Sequence, residues 1–268
     1  MRVLLMPFVV FLLVIEMSLS CHAAEEADIP TNWQGFATGS YRLAEFSSTF
    51  PQSRPRKSQT KTVLQPFEGS IFTQYSDRDD FQRPVEGYTH AGEKPEEIGF
   101  KVVERKEEQI TVAGKEYQAA VTTLRKENHR GKMELTMWEV KDLKLHSRRM
   151  GAPGPDFFLN ENVIKATFKI EGPKISQTQS QTVVKLAEKL TVAEQEIECM
   201  VEKLEADVNK GGATAKVQGE NWTSTAVPGR EVKTLAKGTF SKDSERWPGE
   251  TFEENSVLID FKAIPKDE

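Results

Sequence analysis

Cys199 carries the strongest latent nucleophile in the chain, a thiol, but a thiol works as a nucleophile only when ionised. Beyond Lys203 nothing nearby in the sequence would activate it, so a small buried residue is the expected role. A second candidate is the acidic run Asp77-Arg78-Asp79-Asp80. A calcium loop needs several oxygen ligands and a glycine for its sharp turn; here Arg78 interrupts the acids and no glycine follows. A plain turn is expected, and Asp77, Asp79 and Asp80 remain the place where a hydrolytic site would have to be drawn from. His90, His129 and His146 lack metal-site spacing, since zinc needs three or four converging ligands. The sequence has no Gly-x-Ser-x-Gly, His-Glu-x-x-His or phosphate-binding glycine loop. The residues therefore point to no catalysis, no metal and no cofactor. Asn221-Trp222-Thr223 fits a glycosylation triplet, which matters only in a eukaryotic secretory route.

Trp138 and Trp222 are the remaining candidates. Either ring can stack on a sugar or line an apolar cavity, and either can anchor the core of a sheet. Their sequence context favours the core, because the two tryptophans occupy matching places in two similar stretches, residues 110–149 and 190–237. At an offset of 80, Thr111, Val112 and Ala113 fall on Thr191, Val192 and Ala193, and Glu116, Val121 and Leu124 fall on Glu196, Val201 and Leu204. Ala119 falls on Cys199. With four residues inserted Trp138 meets Trp222, and Arg149 then matches Lys233. Two such copies imply two similar structural units.

The elements that carry these residues read as strands. Residues 40–49 and 57–65 are rich in β-formers and flank a Pro51 to Arg56 loop, a hairpin pattern whose bases Arg54, Arg56 and Lys57 are expected to be solvated rather than to hold an anion. Ile71, Thr73 and Tyr75 alternate on one face. In the first copy strands are expected at about 101–112, 115–126, 132–140 and 143–149, with turns at Ala113-Gly114 and at residues 128–131. Residues 163–170 are β-rich, residues 177–181 read as a polar linker, and residues 257–261 read as a last strand closing the sheet. One segment is in conflict: Ile197, Met200, Val201, Leu204 and Val208 have helical spacing, while Ile197, Cys199 and Val201 alternate as in a strand. The matching Val121-Thr122-Thr123 is poor for a helix, so a strand is expected.

The N-terminus is a targeting segment: Arg2, a thirteen-residue apolar run over residues 3–15, then small residues up to Ala24. The run is shorter than the roughly 20 residues of a spanning helix. Ser18-Leu19-Ser20-Cys21 is similar to a bacterial lipoprotein signal, although Ser18 stands where leucine is usual. Cleavage after Ala23 or Ala24 is expected, and membrane attachment would follow only from lipidation at Cys21. Removing one base and one acid leaves the formal charge at −5, which makes nucleic acid a poor partner. Cys199 is then the lone cysteine, so apolar burial rather than a disulfide must hold the exported chain together.

The Thr191-Val192, Cys199, Trp222, Val227-Pro228-Gly229 and Val232-Lys233 pattern resembles a group of uncharacterised secreted bacterial tandem β-domain proteins. The first copy departs from it with Ala119 and without Pro-Gly, and the second with Glu194 at a position where the group has glycine. The resemblance implies strongly curved antiparallel sheets, somewhat like the half-barrels of periplasmic lipoprotein carriers, and implies no catalytic residue. The expected protein is mainly β: a signal peptide over 1–24, then two related curved antiparallel units over 25–150 and 151–268, the strongest break being Gly151-Ala152-Pro153-Gly154-Pro155. The expected role is an exported, non-catalytic scaffold or binding protein of the periplasm or exterior, for a protein partner or an apolar ligand. Carriage of a lipid or lipoprotein, and hydrolysis at the acidic run, are the alternatives.

Overall fold

The computed structural model describes residues 33, 35–67, 70–76, 83–84, 95–96, 98–129, 131–146, 148–150 and 157–266. The targeting segment, Cys21, the acids Asp77, Asp79 and Asp80, His90 and the break at 151–155 lie outside them.

The protein is all-β, with no helix among the described residues. The strands are β1 (Tyr41–Thr49), β2 (Arg56–Phe67), β3 (Ser70–Ser76), β4 (Arg83–Pro84), β5 (Lys101–Val112), β6 (Lys115–Asn128), β7 (Gly131–Glu139), β8 (Arg148–Met150), β9 (Phe157–Leu159), β10 (Val163–Glu171), β11 (Ile175–Val192), β12 (Gln195–Lys210), β13 (Ala213–Thr223), β14 (Glu231–Phe240) and β15 (Thr251–Lys262). Thirteen of them form one curved, open antiparallel sheet in the order β4-β3-β2-β1-β15-β14-β13-β12-β11-β10-β7-β6-β5, and β8 pairs with β9 apart from it. Consecutive strands are joined mostly by hairpins, and the N-terminal strand β1 returns to pair with the C-terminal β15. The strands of residues 25–150 therefore occupy both edges of the sheet, with those of 151–268 between them.

Curvature comes from interruptions in the ladder. β11 slips register twice against β12, between Val183 and Lys185 and between Lys185 and Glu188. Each extra residue bends its strand and increases its twist. The bent β11 approaches both β5 and β15, so the sheet curls to either side of it. On one side lies a cluster built on Leu124, Leu135, Met137 and Phe168, while one built on Val112, Ala119, Ile164 and Met200 reaches across β11 to β12. On the other lie clusters built on Val192, Cys199, Trp222 and Leu258 and on Ala213, Phe240 and Phe252.

β12 settles the helix–strand conflict in favour of the strand. Ile197, Cys199 and Val201 are buried from one face, and Met200 and Glu202 from the other. The inward side switches along the strand, and two period-2 patterns offset by one residue reproduce helical spacing.

Three expectations need correction. Residues 177–181 are no linker but part of the first half of β11, and Gln177, Gln179 and Gln181 are all buried. Their alternation marks a strand with its polar side chains turned inward, which composition alone disguises. Residues 143–149 form no full strand: only β8 is extended there, while the Leu145 amide is tied to the Glu161 carbonyl at 2.7 Å and Leu143 and Leu145 pack on the core as loop residues. Finally, residues 257–261 lie within β15, but β15 closes nothing, since it sits inside the sheet between β14 and β1.

Candidate functional site

Each tryptophan lies on the strand that follows a hairpin, Trp138 on β7 after β5–β6 and Trp222 on β13 after β11–β12. β5 and β6 turn through Ala113 and Gly114, and β11 and β12 through Ala193 and Glu194, all four with positive φ (51°, 77°, 48° and 66°). Such a pair marks the two-residue hairpin turn whose twist matches the flanking strands. Thr111-Val112 and Thr191-Val192 lead into these turns, and both valines are buried. From there the registers agree. Val121 lies opposite Trp138 and Val201 opposite Trp222, while Ala119 and Cys199 are both fully buried.

The partner on the far side of each tryptophan is a lysine. Lys165 of β10 pairs with Trp138 and puts its Nζ 4.4 Å from the ring centroid; Lys233 of β14 pairs with Trp222 and puts its Nζ 4.7 Å away. The lysine over Trp138 thus comes from β10, whereas the expected Arg149 has its side chain outside the described residues. Cation and ring attract through the ring quadrupole, and the lysine stem covers apolar surface that would otherwise be wet.

The two rings differ at the indole nitrogen. Trp222 is only 6% exposed, within a cluster that includes Ile197, Val227 and Phe261, and its Nε1–H donates to Glu188 Oε1 at 3.3 Å. Glu188 is also paired with Lys185; these two hydrogen bonds, Lys185 first, hold its carboxyl below the usual range. Trp138 is half-buried against Val112, Ala119, Val140 and Leu143, and its Nε1 is buried with no hydrogen-bond partner among the described residues. Neither ring offers the open face on which a sugar stacks: one is enclosed, and the other is packed and overlain by Lys165.

Val227-Pro228-Gly229, between β13 and β14, is buried throughout. Gly229 has φ of 78°, and a Cβ there would lie 3.2 Å from Trp33 Nε1 and from Arg42 Cδ. Glycine lets the turn press against Trp33, itself 1% exposed, and against Arg42, whose Nη1 reaches Glu231 Oε2 at 3.3 Å. Burial raises the Glu231 carboxyl, but Arg42, with hydrogen bonds from Ser256 and Thr234, outweighs it and leaves the carboxyl below its ordinary value.

The thiol is inert by environment. Cys199 is fully buried, and burial, reinforced by Glu188 and Glu198, pushes its pKa up to about 11. His146 has its Nε2 2.7 Å from Thr223 Oγ1. Among the described residues no group of three His, Cys, Asp or Glu side chains is placed to hold a metal ion. Beside the basic loop, Ser47, Thr49, Arg56, Lys57 and Glu253 line a shallow open groove of about 260 Å³. Two of its charges are compensated within the protein, Lys57 by Glu45 at 2.9 Å and Glu253 by Lys237 at 3.1 Å.

No known protein family, curated protein or solved structure matches the chain. Its geometry therefore has to speak for itself. Sequence reasoning missed one polar feature, the buried Gln177, Gln179 and Gln181 with Glu202, in which Gln181 Nε2 donates to Glu202 Oε2 at 2.8 Å. The period-2 spacing of the three glutamines was the available signal. It is a structural network: the bond between Gln181 of β11 and Glu202 of β12 favours one register, because a slip would leave buried polar groups without each other.

Proposed function

We propose that this chain is an exported, non-catalytic β-scaffold that presents its sheet to a protein partner. The observation that carries the reading is β5, a twelve-residue edge strand whose residues 101–109 are all exposed. An open edge of that length is a template for another strand unless something covers it. Export rests on the targeting segment and places the protein in the periplasm or outside the cell. The matched registers around Trp138 and Trp222 support reading the two hairpins as copies of one ancestral unit, and the resemblance to secreted tandem β-domains is in keeping with that. Carriage of an apolar ligand is the weaker reading, because the protein's own side chains fill the curls: Leu135, Phe168, Trp222 and Phe240 are all buried.

Native mass spectrometry of the protein purified from its own host, combined with lipid extraction, tests the choice. The expected result is a mass free of lipid. A stoichiometric co-purifying lipid would replace the scaffold with a carrier.

A further inference from the structure

Followed from the β5 edge, the strands of the sheet run β5-β6-β7-β10-β11-β12-β13-β14-β15-β1-β2-β3-β4. Apart from the β8–β9 detour this is a plain meander, broken at one place. β4 and β5 follow one another in sequence yet stand at opposite edges, whereas β15 and β1, from opposite ends of the chain, lie side by side inside the sheet. We infer that this arrangement couples folding to export: β15 is the trigger strand, and the segment next to the targeting signal stays undocked until the last strand of the chain is available; this rests on the reading of the chain as exported.

The N-terminal segment is tied to the C-terminal one at many points. Tyr41 Oη donates to Asp260 Oδ2 at 2.7 Å across a sequence separation of 219 residues, and Ser40 Oγ donates to the Ile264 carbonyl at 3.3 Å across 224. The Ala37 amide bonds the same carbonyl at 2.7 Å, and the Lys266 amide bonds the Gly35 carbonyl at 3.0 Å. The Phe50 ring stacks on Phe252 with centroids 4.9 Å apart. Between these contacts β1 is laddered to β15, from Tyr41 opposite Lys262 to Thr49 opposite Glu253.

Until β15 exists, β1 has β2 as its one strand neighbour, and hairpin strands without a covered face are marginal in water. β15 also supplies Leu258 and Phe261 to one core cluster and Phe252 to another, so both stay incomplete without it. The strands from β5 to β14, in contrast, meet their neighbours in order as the chain lengthens. Closing β1 on β15 is the step that must join the two ends of the chain, and its loop-closure entropy and high contact order make it slow. A protein exported from its N-terminus gains from that order. The end that must enter the export route first is the end whose partners are made last.

A circular permutant supplies the test. Because Gly35 and Lys266 are bonded to each other, a short linker can join residue 266 to residue 33, with new ends opened between Pro84 and Pro95. No strand is lost, and β15 and β1 become consecutive. In double-jump refolding, where the chain is unfolded too briefly for prolines to isomerise, the permutant is expected to reach the native state on the order of tenfold faster or more, since the loop to be closed shrinks from the 219 residues between Tyr41 and Asp260 to about 20. Pulse-labelled hydrogen exchange during refolding of the mature chain itself is expected to protect amides shared by β12 and β13 first and those shared by β1 and β15 last. Placed behind residues 1–24 in a bacterial host, the natural order is expected to be processed, and the permutant to accumulate as precursor several-fold over it. Simultaneous protection of the two borders, or a permutant that refolds no faster, overturns the trigger role; if the permutant does not fold, the labelling order in the mature chain decides. Equal processing of both precursors overturns the link to export and leaves the export reading standing, whereas processing of neither brings down that reading and the link with it.

Discussion

At the scale of residues, the molecule uses its reactive groups as structure. Cys199 occupies in the second hairpin the place that Ala119 occupies in the first, and both are fully buried. A thiol pushed up to about 11 is almost wholly protonated at neutral pH, so a thiol reagent is expected to label native Cys199 slowly and the denatured chain quickly. Rapid labelling of the native protein would reopen a redox role. Trp222→Ala is expected to cost about 3–5 kcal/mol, measured by denaturant unfolding, because it empties the centre of its cluster. The ion pair of Arg42 with Glu231 has a pH signature. The Glu231 carboxyl is lowered in the folded state, so its contribution is complete above the unfolded glutamate value, about 4.3, and is lost as pH falls through the lowered one. Thermal melts of the native chain and Glu231→Gln are therefore expected to differ at neutral pH and to converge on acidification. Glu139 and Glu254 act with the opposite sign: burial raises both carboxyls, so they favour the folded state below the unfolded value and lose that contribution as pH rises through their raised values. A gap that widens toward acid would contradict the assignment of Glu231.

At the scale of elements, much of the strand pattern was legible. Met133, Leu135 and Met137 alternate into the core from β7, and Ala113-Gly114 makes the turn between β5 and β6. What misled was the rule that polar means outside. Gln177, Gln179 and Gln181 are buried although β11 is polar there, and which face of a strand is covered is a long-range fact no local window contains. The lysines over the tryptophans were half visible: Lys233 follows Trp222 through a short turn, whereas Lys165 reaches Trp138 only after the chain has passed through β8 and β9. Turn chemistry offers a clean check, since Glu194 holds a φ of 66° that glycine adopts without strain. Glu194→Gly is expected to raise stability by up to about 1 kcal/mol, the relief of the left-handed conformation being partly offset by glycine's entropy. Gly131→Ala is expected to cost about 2 kcal/mol or more, because a Cβ there would lie 2.2 Å from the Glu171 carbonyl oxygen and φ is 128°. Chemical denaturation of the two variants checks both.

At the scale of the whole molecule, strand order links the two halves of the sequence more tightly than a tandem array links its repeats. In a solenoid each repeat touches only its neighbours, and stability adds up unit by unit. Here β1 pairs with β15 along its full length, and β7 pairs with β10. A cut at residue 150 would therefore sever three ladders at once, those two and the short β8–β9 pair. Residues 25–150 alone would keep β1–β4 and β5–β7 as two pieces that do not adjoin in the sheet, and β5–β7 would lose Phe168 and Ala166 from their core. Residues 151–268 would keep the ladder from β10 to β15 but bare two new edges. The expectation is that the mature chain unfolds in one cooperative transition, that fragment 25–150 shows no cooperative melt, and that fragment 151–268 is soluble only weakly until the other fragment is added. Two separate transitions, or an independently folded 25–150 fragment, would mean that each half carries its own core and that the β1–β15 and β7–β10 ladders are docking contacts rather than the framework of the fold.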